Sequence, residues 1–134
     1  MIRIERALAA SARHDSAAAQ QHTPPPVRVV RDLHSGLQVR LTEAGARTRA
    51  TVIGEVDLGC AGMLQHVLQD TLSSAPGGLD LDLSGVRFFD CSGMNVLLRL
   101  RAQARGLGVP LAVVRMSPAV VRVLELTRSG ALFR

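Results

Sequence analysis

Residues 88–101 read FFDCSGMNVLLRLR, and the fold turns on this junction. Two phenylalanines close an extended run. Asp90, Cys91, Ser92 and Gly93 follow as small or polar groups, and a leucine-rich helical pattern starts at once. Ahead of the junction, LDLDL at 79–83 alternates with the period of a strand, Leu79, Leu81 and Leu83 on one face and Asp80 and Asp82 on the other. Carboxylates are costly to bury unpaired, so the aspartate face should be the wetter one. Behind the junction, Met94, Leu97, Leu98 and Leu100 recur at helical spacing. They predict a helix over about 92–105 with these four facing inward, stopped by the glycines of GLG at 106–108.

The same reading extends in both directions. LQVRL (37–41) and RATVIGEV (49–56) flank the glycine turn EAGART and predict a hairpin. DLGCAGMLQHVLQDTL (57–72) predicts a helix with Ala61, Leu64, Leu68 and Thr71 or Leu72 on its apolar face. Gly59 and Gly62 weaken its first turns, because glycine is a poor helix residue. PLAVVR (110–115) reads as another strand. In SPAVVRVLELT (117–127), Ser117 is a natural N-cap and Pro118 fits the first helical position; Val120, Val121 and Leu124 should pack inward. SGALFR (129–134) has room for a short strand. The order implies an α/β fold: a mixed, largely parallel sheet reached by right-handed crossovers, with the helices mainly on one face.

Residues 1–36 have a different composition. They are rich in Ala, Ser and Gln and end near HTPPP (22–26), where prolines stop a helix. We expect a mobile N-terminal extension over 1–36, Pro-rich at its end, and a single domain over 37–134.

Composition excludes several functions. With three Phe and no Trp or Tyr among 134 residues, the core must be aliphatic, and rings to stack unpaired bases are missing. All sixteen basic residues are Arg, but no three are consecutive. From Leu37 onward eleven Arg stand against eight acids, a net of +3, which does not read as a nucleic-acid surface. No secretory h-region and no apolar stretch of membrane-spanning length occur, so a cytoplasmic protein without membrane contact is expected. Cys60 and Cys91 have no paired spacing, and in a reducing compartment a disulfide is not expected.

No enzyme is expected either. His14, His22 and His34 lie in the tail and His66 sits mid-helix, so no nucleophile–His–acid set forms. Cys60 and His66 are six apart, with no C-x-x-C pair and no phosphate-binding G-x-x-x-x-G-K, so neither a metal nor a cofactor is expected. The polar junction keeps two readings. Ser92 is a helix N-cap or a phosphoacceptor; Asp90 is a second cap or a group that orients the loop; Asp57 is the cap of the preceding helix or a partner contact. Gly93 permits close backbone approach. Cys91 is a packing residue or a thiol whose pKa is lowered at a helix N-terminus.

Three stretches, GEVD (54–57), LDLSGVRFFDCSGMNVLL (81–98) and SPAVVRVLELT (117–127), carry a resemblance over Leu37–Phe133 to the STAS domain of bacterial anti-sigma-factor antagonists. The resemblance implies a transcription regulator that binds a serine-kinase-type anti-sigma factor and so releases a sigma factor. In that partner switching the kinase phosphorylates a Ser or Thr directly after the motif's Asp. Here that position is Cys91, so phosphorylation control is altered or absent; Ser92 matches the hydroxyl residue that follows. The implied partner-binding and regulatory loop comprises Asp57, Asp90, Cys91, Ser92, Gly93, Met94 and Asn95, with Arg99, Arg101 or Arg105 as further contacts. STAS-type signalling scaffolds and sensory modules form the alternative, redox-responsive through Cys91. The resemblance also implies a further C-terminal helix. A second copy of the chain, as a homodimer, or the N-terminal tail would cover the apolar edge left without it.

Overall fold

The computed structural model describes residues 2–7 and 27–133. Six strands form one sheet in chain order: β1 (Ile2–Ala7), β2 (Val27–Asp32), β3 (Gln38–Ala44), β4 (Arg47–Val56), β5 (Leu79–Phe89) and β6 (Leu111–Met116). The helices are α1 (Leu58–Ser73), α2 (Cys91–Leu107) and α3 (Pro118–Leu126). β1 through β4 pair antiparallel; β4, β5 and β6 are parallel and linked by α1 and α2. The sheet is mixed, and its parallel part is the half that the strand–helix alternation builds.

The sheet starts earlier than the expected boundary at Leu37. β2 pairs with β3 over Val27↔Thr42 to Arg31↔Gln38, and Val30 is in the core. β1 pairs with β2 in turn, from Ile2↔Asp32 to Ala7↔Val27. VRVVRD is short, and its arginines obscure an alternation that becomes visible only against β3. The TPPP run lies outside the described residues. At the other end, Gly130–Phe133 form a 3-10 helix in place of the expected short strand, and Phe133 drops into the core. The segment follows α3 directly, and the burial of Phe133 ties it to the core.

One aliphatic core joins all three helices to one sheet face. Val39, Leu41, Val52, Val56, Leu81 and Val86 meet Leu64 and Leu68 of α1, Leu97 and Leu100 of α2, and Val120 and Leu124 of α3. Two inward assignments are corrected. Leu98 is 38 % exposed and Val121 is also 38 % exposed, because Val96 and Val120 take the core-facing positions on those helices.

The other sheet face holds the acids. Asp80 accepts from Nε of Arg47 at 3.1 Å through both oxygens, with Nη2 of Arg47 bonding as well. The guanidinium beside it holds its carboxyl below the ordinary range. Asp82 is buried, which pushes its carboxyl up, but the Ser84 hydroxyl at 2.6 Å and the Ser84 N–H at 3.0 Å outweigh burial and leave it lowered. This face therefore tolerates charge through bonds as well as through water.

Candidate functional site

Asp57 and Asp90 occupy equivalent places. Val56 and Phe89 are register partners on parallel β4 and β5, and each aspartate is the next residue along. Each leaves its strand in an extended conformation and caps the helix that follows. The Asp57 carboxylate accepts from the N–H of Gly59 at 2.9 Å. The Asp90 carboxylate accepts from the N–H of Ser92 at 2.8 Å and of Gly93 at 3.4 Å. An N-cap oxygen satisfies donors that the first turn leaves free, and its negative charge suits the positive end of the helix dipole. Ser92 is thus not the cap of α2; its own N–H is the group being capped.

Cys91 is the first residue of α2 and is exposed. Ser92 is half-buried, beside the groove between α1 and α2, and its hydroxyl makes no hydrogen bond among the described residues. Gly93 is buried because the ring of Phe89 lies where a side chain would stand: a Cβ there would sit 2.8 Å from Cδ1 and Cζ of Phe89. Met94 is 4 % exposed and supports the loop from the core, so it offers no surface to a partner. Asn95 is exposed. Arg99 is exposed and donates through Nη1 to Gln65 Oε1 of α1 at 3.2 Å; Arg101 is half-buried, and Arg105 lies in the last turn of α2, near the C-cap Gly108 (φ 66°).

The two thiols have opposite surroundings. Cys60 is fully buried in the first turn of α1, 3.2 Å from the Glu55 carbonyl oxygen, and burial pushes its thiol up. His66 points outward, 75 % exposed in its side chain, and meets Asp70 at 3.3 Å. The structure does not bring Cys60, His66 and Cys91 into one cluster, and no group of three metal-ligating residues forms among the described residues.

One element of this end was absent from the sequence reading. β2 runs parallel to β4, so its exit turn, Asp32 to Leu37, lies at the same end as Asp57 and Asp90. Asp32 accepts from the N–H of His34 at 3.0 Å and the hydroxyl of Ser35 at 2.9 Å, and the His34 N–H, followed by Ser35, lowers its carboxyl. The signal was present in DLHSG, an Asx turn closed by glycine, but it stood inside the stretch read as a tail. Around the loops three large apolar side chains face outward: Leu33 (51 % exposed), Leu58 (82 %) and Phe88 (47 %). No helix among the described residues is long and apolar enough to cross a membrane.

Comparison with known proteins agrees with this architecture. A Mycobacterium tuberculosis protein, Rv2638, described as a candidate anti-anti-sigma factor, is 28 % identical over 118 residues, covering 84 % of this chain and 75 % of that one. The crystal structure of an anti-sigma factor antagonist from Mycobacterium paratuberculosis superposes with a TM-score of 0.65 at 26 % identity, covering 74 % of this chain and 84 % of its own. Unphosphorylated SpoIIAA, an anti-sigma factor antagonist, shares the fold with a TM-score of 0.61 at 15 % identity, over 72 % of this chain and 85 % of that one. The family model described as "Mlab, STAS domain" matches residues 39–133. The chain belongs to the STAS domain family.

Proposed function

We propose that this STAS domain is an anti-sigma-factor antagonist of the cytoplasm, which acts by binding and not by catalysis. Its partner is a serine-kinase-type anti-sigma factor, and the docking end is the one capped by Asp57 and Asp90. The observation that carries the reading is the exposed thiol of Cys91 at the first position of α2, at the end of the sheet where Asp57 and Asp90 cap their helices and where Leu33, Leu58 and Phe88 stand exposed. Apolar side chains beside a polar centre suit a protein interface better than a small-molecule site.

A phosphate at position 91 would add about −1.5 to −2 charges beside Asp90 and disrupt a close interface by repulsion and desolvation. A thiol has nearly the size of a hydroxymethyl group but is not the acceptor of a serine kinase. Ser92 offers a hydroxyl, yet it is half-buried beside α1, where a kinase reaches it poorly. The domain therefore docks without the usual phosphorylation off-switch. The test combines the purified protein with the kinase-type anti-sigma factors of its own genome, with and without ATP. We expect ATP to leave the complex intact and Cys91 unmodified, and Cys91→Ser to restore phosphorylation and release. Stoichiometric phosphorylation of Ser92 in the natural chain would overturn the absence of the switch.

A further inference from the structure

The helix-covered face of the sheet turns polar at one end. Along β3, Val39 and Leu41 are in the core, and Glu43 is the next residue in the same phase. Ala50 on β4 and Val30 on β2 are likewise buried, and Thr48 and Arg28 stand one step further out on that face. Glu43 pairs with Thr48 and Arg28 with Leu41, so the polar side chains are neighbours on one surface. α1 stops short of them: it ends at Ser73, and Thr71 and Ser74 face the same space. The result is a cavity of about 300 Å3 at the end of the sheet away from Asp57 and Asp90. That size is at the lower end of small-ligand sites.

The groups around the cavity are sorted by charge and by hydrogen-bonding sense. Arg28 and Glu43 are diagonal neighbours on adjacent strands, about 7–8 Å apart. Neither makes an ion pair or a side-chain hydrogen bond among the described residues. An uncommitted guanidinium and an uncommitted carboxylate thus face one space. Thr71 is 5 % exposed and donates its hydroxyl hydrogen to the Val67 carbonyl at 2.7 Å; Ser74 donates its own to the Asp70 carbonyl at 3.2 Å. Each keeps only lone pairs for a ligand. With Glu43 they make a set of acceptors beside the C-terminal end of α1, where the helix dipole favours positive charge. Leu41, 6 % exposed, supplies an apolar wall.

We infer that this cavity binds a small zwitterion of the free α-amino-acid class, its ammonium among Glu43, Thr71 and Ser74 and its carboxylate on Arg28. An ammonium has three donors to offer three acceptors, and a guanidinium takes a carboxylate through two parallel bonds. A plain anion would leave Glu43 and both hydroxyl acceptors unmatched, and a plain amine would leave Arg28 unmatched. The site lies away from Asp57 and Asp90, so a bound ligand leaves the docking end open. The inference is independent of which protein docks there.

The test titrates the full-length chain with each of the common L-amino acids in turn, followed by thermal denaturation and calorimetry. At least one should bind and raise the Tm by about 4 °C at about tenfold excess over its Kd. Arg28→Gln and Glu43→Gln should each weaken that amino acid by about tenfold or more. Both side chains are exposed, so the ligand-free Tm should stay within about 2 °C of the parent. Arg122→Gln, which alters an exposed arginine on α3, should bind as the parent does. The same ligand without its amino group, or without its carboxylate, should bind about tenfold more weakly or worse. If no L-amino acid binds, or if Arg28→Gln and Glu43→Gln bind as the parent does, the cavity assignment is wrong. If the deaminated ligand or inorganic phosphate binds as tightly as the amino acid, the site takes plain anions and the zwitterion assignment fails.

Discussion

The ring of Phe89 occupies the space that a side chain on Gly93 would need, with Cδ1 and Cζ 2.8 Å from the missing Cβ. The glycine of the junction is thus a packing requirement between the end of β5 and the first turn of α2. Gly93→Ala should destabilise the domain by about 1–3 kcal/mol, the usual consequence of an overfilled core. Urea titration would show a lower midpoint with an unchanged slope, and Phe89→Leu in the same chain should recover part of the loss. An unchanged midpoint for Gly93→Ala would mean the ring swings aside without strain.

Asp90 caps α2 through one carboxylate oxygen. Asp90→Ala should cost about 1 kcal/mol, while Asp90→Asn keeps an acceptor in place and should cost only a few tenths. Thermal denaturation of the pair separates two sources of cap stability. Equal losses would show that the charge at the helix terminus, and not the hydrogen bond, holds the turn.

The carboxylates of the open sheet face make stability depend on acid. Asp80 is lowered by Arg47, and Asp82 is lowered by Ser84 against the opposing push of burial. Because their folded pKa values lie below the unfolded value of about 3.9, their contribution is present above that value and is lost as pH falls through the folded ones. These groups should leave stability flat between about pH 5 and pH 8 and lower it below about pH 4. Arg47→Ala should cost about 1 kcal/mol at pH 7, the upper end for a partly exposed pair, and the gap from the parent chain should narrow below about pH 4. A gap constant down to pH 2 would assign the loss to packing of the Arg47 stem.

The thiols should separate by access. In the native protein iodoacetamide should label Cys91 alone, and denaturant should expose Cys60 for a second label. Intact-mass spectra before and after denaturation count the two events. Rapid native labelling of Cys60 would show that the first turn of α1 opens readily, since that thiol is buried against Glu55 and Asp57.

Much of the fold is local in origin and was readable along the chain. The alternation of Leu79, Leu81 and Leu83, the Ser117–Pro118 start of α3 and the Gly108 end of α2 each arise from neighbours a few residues apart. The cap at Asp57 was legible for the same reason. The capping residue of α2 was the harder case. Asp90 and Ser92 are both good caps, and only the backbone conformation, extended at Asp90 and helical from Cys91, chooses between them.

The amino-acid sequence by itself determined the element order from β3 to α3, the aliphatic core, the capped junction and the thiol at position 91, because propensity, capping and hydrophobic period act over one or two turns of chain. Only the tertiary structure decided that β2 belongs to the sheet, that its exit turn joins Asp57 and Asp90 at one end, and that Met94 is buried while Leu58 stands out. Those outcomes depend on strand register and on which helix face meets the sheet, and such contacts form between residues far apart along the chain.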